Sequence, residues 1–220
     1  MLKKTTRVLV VDDHTLFRKG LVVMLESFED IEVVHDCANG AEALDFLRLN
    51  PIHVVLLDLD MPVLDGREAA KKIISKYPGT HIIIISMNDT LEVIAELIEI
   101  GVHSYLLKDA EPQEVKRAIL SVINNDFYYN HLVSRALRQN FQRSNNKPNT
   151  DPVGKSILSP REIEVLQLIC REMTVKEISE ELHLSEQTIL THRKHLMKKI
   201  QAKNAVSLVR FAIQNQIITF

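Results

Sequence analysis

The stretch HVVLLDLDMPVLDG, residues 53–66, decides the fold of the first half of the chain. Residues 54–57 are apolar at consecutive positions, which is typical of a strand that is covered on both faces of a parallel sheet. A carboxylate, Asp58, follows directly, and the segment 61–66 contains the Pro and Gly that mark a loop. A buried strand that ends on an acid predicts an α/β sheet with a polar site at its edge.

Four other apolar runs share this pattern and lie at intervals along the first 128 residues. Each is rich in Leu or β-branched residues, and stretches with helical spacing separate them, such as Leu16, Gly20 and Val23. Five strands that alternate with helices predict a doubly wound, five-stranded parallel sheet with right-handed crossovers. The predicted strands are 7–11, 31–35, 53–57, 81–85 and 103–107.

The chain changes character over residues 126–157. The amphipathic stretch FYYNHLVSRALRQNF (127–141) is compatible with one more helix, whereas QRSNNKPNTDPVGKS (142–156) is polar, contains two prolines and lacks periodicity. A linker therefore separates two domains. The predicted division is a first domain over 1–128, a linker that can hold a helix over 129–156, and a second domain over 157–220.

The second domain is helical by pattern and carries three helix start signals. SPRE (159–162) and TVKE (174–177) each place a Ser or Thr cap three residues before a Glu, which is a capping box. SEQT (185–188) opens a third helix with a Ser cap, and a fourth is expected to begin near Asn204. The second and third of these helices, joined by a short turn, predict an all-α helix-turn-helix domain.

Charge is distributed unevenly along the chain. Residues 1–128 carry 13 Lys/Arg and 21 Asp/Glu, residues 129–155 carry 5 and 1, and residues 156–220 carry 9 and 7. An acidic first half and a basic remainder predict two domains with different partners.

Composition excludes several other classes of protein. Hydrophobic residues make up 45% of the chain and charged residues 25%, which is ordinary for a globular protein. No apolar run approaches the roughly 20 residues of a membrane span, and the N-terminus lacks the apolar core of a secretory signal. Since Cys37 and Cys170 lie far apart, we expect a reduced protein in the cytoplasm, without contact to a membrane.

Polar side chains follow four of the predicted strands at the points where they end. They are, in chain order, Asp12 and Asp13, Asp58, Ser86 and Lys108. Because the carboxyl ends of parallel strands share one edge, where ligands bind, these groups are expected to face one crevice. Each residue alone has a structural explanation as a cap, a turn residue or a solvated charge. Their occurrence at four different strand ends favours a site.

A crevice with these groups is suited to phosphoryl transfer. Three neighbouring carboxylates repel one another unless a cation joins them, and Mg²⁺ prefers oxygen ligands while keeping waters that a phosphate can replace. One carboxylate can then act as nucleophile and form an aspartyl phosphate, while Lys108 and Mg²⁺ neutralise charge on the phosphoryl oxygens. The Ser86 hydroxyl is expected to hydrogen-bond the bound phosphoryl group.

The segments VLVVDD (8–13), LLDLDMPVLDG (56–66), IIIIS (82–86) and YLLKDA (105–110) resemble, as a set, the motifs of two-component response regulator receivers. The resemblance covers about residues 5–125 and implies a CheY-like receiver that a sensor histidine kinase phosphorylates on Asp58. It implies a Mg²⁺ site in which Asp13 and Asp58 coordinate directly, the Asp60 carbonyl adds a ligand and Asp12 acts mainly through water. It also implies switch or phosphate-binding roles for Ser86, Tyr105 and Lys108.

One residue departs from this pattern. Met87 stands where many such receivers have Ala, directly after the switch hydroxyl. A larger side chain at this position is expected to narrow access to Asp58 or to restrict the loop. The rate of phosphorylation is then affected, and not the position of the site.

The segment TVKEISEELHLSEQTILTHRKHLMKKI (174–200) carries a basic face on its second helix. The cations of this helix are Arg193, Lys194, Lys198 and Lys199. A basic face on a surface helix is common, so charge alone carries little weight. The capped helix-turn-helix context favours contacts with DNA phosphates and entry of this helix into a major groove.

The longer stretch from Leu158 to Asn204 resembles the LuxR-type helix-turn-helix of the NarL/FixJ response regulators, and the resemblance extends over about residues 157–217. It implies that 185–200 is the recognition helix on double-stranded DNA and that the last helix supports a homodimer. By this resemblance base contacts fall on Leu190, Thr191 and Lys194, and phosphate or groove-edge contacts on Thr188, His192 and Lys198. An apolar Leu190 can contact a thymine methyl but cannot bond to guanine.

These patterns together predict a transcription factor in which phosphorylation of Asp58 controls dimerisation and DNA binding. No enzyme activity is expected beyond self-phosphorylation from a donor and autodephosphorylation at Asp58. Two alternatives stay open. One is a phosphorylation-independent DNA-binding regulator, and the other is an aspartyl-phosphate phosphatase, because residues 54–62 superficially resemble the DxD strand end of haloacid-dehalogenase enzymes. The acid pair after the first strand and the lack of an evident cap domain oppose the second alternative.

Overall fold

The first part of the protein is a five-stranded parallel sheet in the order β2-β1-β3-β4-β5. The computed structural model describes residues 5–125, 127–128, 130–144, 157–171, 173–202 and 205–218. The strands are β1 (Thr6–Val11), β2 (Ile31–Cys37), β3 (Val54–Leu57), β4 (His81–Ser86) and β5 (Ser104–Leu107). The doubly wound sheet predicted from the sequence is confirmed.

Helices cover both faces of the sheet. They are α1 (Thr15–Glu26), α2 (Gly40–Leu47), α3 (Gly66–Lys76), α4 (Leu91–Ile100) and α5 (Pro112–Asn125). Successive strand residues point to opposite faces. Val8 and Val10 accordingly join the buried cluster under α1 and α5, whereas Leu9 and Val11 join the cluster under α2, α3 and α4. Two covered faces explain why the strand sequences are apolar at consecutive positions.

A sixth helix, α6 (His131–Ser144), lies within the stretch that was predicted as a linker. It packs on α4 and β5 through the buried residues Val133, Ala136 and Leu137. Asn130 precedes the helix and caps it, because its side-chain oxygen accepts a hydrogen bond from the Val133 N–H at 3.0 Å. The remainder of the predicted linker, 145–156, lies outside the described residues.

The second part of the chain is helical. Its helices are α7 (Pro160–Cys170), α8 (Val175–Glu181), α9 (Glu186–Ile200) and α10 (Ala205–Gln214). Both predicted capping boxes are present, at Ser159 and Thr174, and the Ser185 hydroxyl caps α9. Throughout the described part of the chain, every helix is too short or too polar to cross a membrane.

The loop between β3 and α3 closes tightly on Asp58. The Gly66 N–H donates a hydrogen bond to the Leu59 carbonyl at 2.9 Å, and the Asp65 side chain caps α3 by accepting from the Glu68 N–H at 2.8 Å. A Cβ atom at Gly66 would lie 1.9 Å from the Asp58 carbonyl oxygen. Only glycine therefore permits this approach of the loop to the strand end.

Gly66→Ala is expected to lower the free energy of unfolding by roughly 1 to 3 kcal/mol, because the new methyl group must displace the Asp58 backbone. Urea unfolding followed by circular dichroism measures this change. Gly79→Ala is the matched control, since a Cβ atom there meets nothing within 4 Å. Its effect should stay within about 0.5 kcal/mol. Equal stability of the two variants would contradict the tight closure of the loop.

Candidate functional site

The carboxyl edge of the sheet brings three aspartates together. Asp12 and Asp13 follow β1, Asp58 follows β3, and these two strands are neighbours that pair up to Val11 and Leu57. Asp12 is 2% exposed and Asp58 is 3% exposed, while Asp13 is half-buried. The predicted acidic pocket is thus assembled from the ends of two adjacent strands.

Lys108 joins the two buried carboxylates from the end of β5. Its Nζ atom lies 2.7 Å from Asp12 Oδ2 and 2.9 Å from Asp58 Oδ2. The same ammonium group lies 4.9 Å from the centre of the Phe17 ring. The side chain of Lys108 is 8% exposed, so its charge is shielded from solvent and acts mainly on these carboxylates.

The electrostatics of the pocket follow from this burial. Burial raises the pKa of the Asp58 carboxyl and the charge of Asp12 raises it further, although the hydrogen bond from Lys108 acts in the opposite direction. Burial alone would lower the pKa of Lys108, but its bonds to Asp12 and Asp58 outweigh burial and raise it. Lys108 therefore stays protonated, and one cation faces three carboxylates.

The charge of the pocket and one unsatisfied atom fit a divalent cation. Asp13 Oδ1 is buried and has no hydrogen-bond partner. Hard cations such as Mg²⁺ bind carboxylate oxygens of this kind. The side chain of Asp60 is exposed, so this residue can contribute through its carbonyl, as predicted, without burying a fourth carboxylate.

Ser86 and Tyr105 are both fully buried and both bind Asn88. The Ser86 hydroxyl accepts a hydrogen bond from the Asn88 N–H at 3.1 Å, and the Tyr105 hydroxyl donates to the Asn88 carbonyl. Burial raises the pKa of Tyr105 to about 12, so the phenol stays a donor. The loop after β4 is therefore tied to the two predicted switch residues through the backbone of a single residue, Asn88.

Met87 is the first residue of this loop, and 76% of its surface is exposed. The side chain extends into solvent, so it is not packed over Asp58. The expectation that its size narrows access to Asp58 or restricts the loop has no support in this arrangement.

His14 belongs to the pocket and was not among the residues predicted from the sequence. One ligand atom from each of Asp12, Asp13, His14 and Asp58 lies within 4.8 Å of the others. The His14 Nδ1 atom is 3.1 Å from Asp13 Oδ1. Its position directly after the acid pair is the signal that would have found it.

The predicted DNA-contacting residues lie on α9. Leu190 is 43% exposed, and Thr191, Lys194 and Lys198 are exposed as well, on a helix that begins at the capping Ser185. Thr188 and His192 are half-buried, and the Thr188 hydroxyl lies 2.8 Å from the Ser185 hydroxyl. The structure therefore exposes the three residues predicted to contact bases and places Thr188 at the helix cap.

Two cationic side chains of the predicted basic face form contacts within the protein. Arg193 is buried, and its guanidinium donates to the carbonyl of Asn125 at the end of α5. Lys199 Nζ lies 2.7 Å from Glu162 Oε2 in α7. Burial alone would raise the pKa of Glu162, but the bonds from Lys199 and Ser159 lower it to about 2. The basic face available to DNA is thus smaller than the sequence indicated.

Asn125 connects the two parts of the chain. Besides its carbonyl contact with Arg193, its side-chain oxygen accepts a hydrogen bond from the Val175 N–H at 3.3 Å. Asn125 is 5% exposed. The end of α5 therefore contacts both the start of α8 and the buried side of α9.

Comparison with known proteins identifies the family. Residues 8–120 match the family model of the response regulator receiver domain, and residues 156–212 match that of the bacterial regulatory proteins of the luxR family. The chain belongs to the two-component response regulators with a LuxR-type helix-turn-helix domain.

Individual relatives agree with this assignment along the full chain. The oxygen regulatory protein NreC of Staphylococcus carnosus (strain TM300) is 31% identical, and that of Staphylococcus aureus (strain JH9) is 33% identical, each over 97% of this chain and 100% of the relative. The chain is a response regulator with receiver and DNA-binding domains, as predicted, and thus a regulator of transcription.

Solved structures of response regulators are similar as well. ChrA, from a heme-sensing two-component system, is 30% identical with a TM-score of 0.52 over 98% of this chain and 100% of ChrA. RcsB from Salmonella enterica serovar Typhimurium, bound to promoter rprA with the phosphomimetic BeF3−, is 26% identical with a TM-score of 0.57 over 94% of this chain and 98% of RcsB.

Asp58→Asn is expected to raise the free energy of unfolding at pH 7, without divalent cations, by about 1 kcal/mol, because it removes one of two adjacent buried carboxylates. The pKa of Asp58 is raised in the folded state. The contribution of Asp58 to the free energy of unfolding should therefore fall as pH rises from the ordinary pKa of Asp, about 4, towards neutrality. The gain in the variant should be smallest at pH 4. Chemical unfolding at several pH values measures both effects.

Asp45→Asn serves as the matched control for this substitution, because its side chain is 78% exposed on α2. This variant should leave the pH dependence of the free energy of unfolding unchanged. A lower stability of Asp58→Asn than of the wild type at pH 7 would contradict the electrostatic description of the pocket.

Proposed function

We propose that Asp58 is the phosphoacceptor of this regulator and that its phosphorylation by a sensor histidine kinase controls homodimerisation and binding to double-stranded DNA. The observation that carries the proposal is the contact of Lys108 Nζ with Asp58 Oδ2 at 2.9 Å and with Asp12 Oδ2 at 2.7 Å. A protonated amine next to a buried carboxylate neutralises phosphoryl charge where that carboxylate attacks.

The transfer step uses groups that are already in position. A carboxylate oxygen of Asp58 forms a bond to phosphorus while the bond from phosphorus to the donor nitrogen of the kinase breaks, and the donor nitrogen keeps the electron pair. The Leu59 N–H donates to Asp58 Oδ1 at 2.8 Å and fixes the orientation of the carboxylate. Lys108 remains protonated throughout, because its pKa is raised.

Asp13, Asp58 and the carbonyl of Asp60 are the proposed direct ligands of Mg²⁺, and Asp12 is proposed to act mainly through water. When bound, Mg²⁺ would neutralise the phosphoryl oxygens and the pocket carboxylates. The orphaned Oδ1 atom of Asp13 supports this assignment. Three carboxylates against one lysine leave the pocket negatively charged without a cation, and such a pocket would repel a phosphodonor.

Ser86 and Tyr105 are proposed to transmit the modification. In the unmodified protein the Ser86 hydroxyl accepts a hydrogen bond from the Asn88 N–H at 3.1 Å. This bond is lost when the hydroxyl turns to bind a phosphoryl oxygen. The loop after β4 then moves, and Tyr105 follows because its hydroxyl binds the carbonyl of the same residue. The Tyr105 carbonyl accepts from the Asn130 side chain at 3.1 Å, so the shift reaches the cap of α6.

The DNA interface is proposed to be the exposed face of α9. Leu190, Thr191 and Lys194 are exposed and are assigned to base contacts, where Leu190 suits a thymine methyl. Contacts with phosphates or the groove edge are assigned to Thr188, His192 and Lys198. The similar regulator RcsB is described in a complex with promoter DNA, which supports the assignment by analogy.

Treatment with acetyl phosphate and Mg²⁺ is expected to add one phosphoryl group to the wild type, to convert it to a dimer, and to tighten binding to its promoter DNA by about tenfold, which is a typical coupling free energy of roughly 1.4 kcal/mol. Asp58→Asn should show none of these responses. Intact mass, light scattering and fluorescence anisotropy on a promoter fragment recovered by chromatin mapping measure the three effects.

Asp45→Asn is the control and should respond like the wild type. If Asp58→Asn dimerises and binds DNA as the treated wild type does, the phosphorylation-independent alternative is correct. Multiple turnover of phosphomonoesters by the wild type would instead favour the phosphatase.

Lys198 and Lys199 form a matched pair for testing the DNA interface. Lys198→Ala should weaken DNA binding and reduce the slope of log affinity against log salt by about 1, because it removes one phosphate contact. Lys199→Ala should instead lower the free energy of unfolding by roughly 1 to 2 kcal/mol, because the buried Glu162 carboxylate loses its partner. Salt titrations of DNA affinity and urea unfolding separate the two effects.

The cost of Lys199→Ala should depend on pH. The pKa of Glu162 is lowered to about 2 in the folded state, so its stabilising effect is present above the ordinary pKa of Glu and is lost as pH falls towards 2. The difference from the wild type should therefore shrink on acidification. If Lys199→Ala were as stable as the wild type but bound DNA more weakly, Lys199 would be a DNA contact and its structural role would be contradicted.

A further inference from the structure

The pocket at Asp58 contains an imidazole as well as carboxylates. The His14 Nδ1 atom lies 3.1 Å from Asp13 Oδ1 and 3.7 Å from Asp12 Oδ1. The His14 N–H donates to Asp12 Oδ1 at 2.8 Å, so the backbone of His14 is fixed to the acid pair. Its side chain is 70% exposed, which leaves the ring open to an incoming ion.

The separation of His14 Nδ1 and Asp13 Oδ1 is that of two ligands on one ion. Bonds of ~2.1 Å to an octahedral cation place adjacent ligand atoms ~3.0 Å apart. The observed separation of 3.1 Å agrees with this value. The two atoms therefore have a separation that one octahedral cation can span.

An ordinary hydrogen bond does not account for this contact. Asp13 Oδ1 is buried and has no hydrogen-bond partner, although the imidazole nitrogen lies nearby. The pair therefore has the distance of a hydrogen bond without its geometry. A cation between the nitrogen and the oxygen would satisfy both atoms.

We propose that His14 is a nitrogen ligand in this pocket and that the pocket binds first-row transition metal ions of the Co²⁺–Zn²⁺ class more tightly than Mg²⁺. The inference rests on the proposed function, since it concerns the cation of the same pocket. Mg²⁺ prefers oxygen ligands and gains little from an imidazole, whereas Co²⁺, Ni²⁺ and Zn²⁺ bind imidazole well. His14 is thus the residue that sets the metal specificity of the pocket.

Titration of the metal-free full-length protein with Co²⁺ tests the proposal, because the visible absorption of Co²⁺ changes with its ligands and coordination geometry and thus reports binding. His14→Ala should weaken Co²⁺ binding by at least about tenfold, while Mg²⁺ affinity from calorimetry changes by less than about twofold. In the wild type, Zn²⁺ should shift the Nδ1 resonance of His14 in a nitrogen NMR spectrum. Circular dichroism checks that the variants are folded.

His131→Ala is the matched control, because it removes another exposed imidazole at the start of α6 and should change neither affinity. Asp13→Asn should weaken the binding of both Co²⁺ and Mg²⁺. Equal Co²⁺ affinity of the wild type and His14→Ala would overturn the inference, as would an equal loss for Co²⁺ and Mg²⁺ in that variant. If binding of neither ion depends on Asp13, the proposed phosphorylation pocket itself is contradicted.

Discussion

The contact of Lys108 with Asp12 and Asp58 is the interaction on which the pocket depends. Parallel pairing of β1 and β3 forces two acids together at buried strand ends, where like charges are strongly unfavourable. The ammonium group of Lys108, 2.7 Å and 2.9 Å from these carboxylates, offsets that repulsion. One lysine cannot balance three aspartates, so the same arrangement that is stable enough to fold still attracts a cation. The electrostatic cost of the pocket and its attraction for a cation therefore have the same origin.

A second constraint is the tight packing of the loops that border the pocket. Gly66 lets the loop after β3 approach the Asp58 backbone, and Asn88 holds the loop after β4 between Ser86 and Tyr105. Tyr105 is bonded in turn to Asn130, which caps α6. A local change at the pocket is therefore connected by hydrogen bonds to a helix outside the sheet. This chain of contacts gives the proposed switch a physical route.

The helical domain shows that charge in a sequence is not the same as charge available to a ligand. Lys194 and Lys198 are exposed on α9, whereas Arg193 contacts Asn125 and Lys199 neutralises the buried Glu162. Two of the four Lys and Arg side chains of this helix thus form contacts within the protein. The division follows from helical geometry, because neighbouring positions point to different sides of the helix.

The sequence alone determined the strands, the helix caps and the acids at the strand ends, because these depend on local patterns and on the sharing of one edge by parallel strands. Consecutive apolar residues at 54–57 required two covered faces, and the Ser159 and Thr174 capping boxes required only a spacing of three residues. Tertiary structure alone decided which side chains meet. The packing of His14 beside Asp13 and the exposure of Met87 depend on distances through space, which no periodicity along the chain encodes.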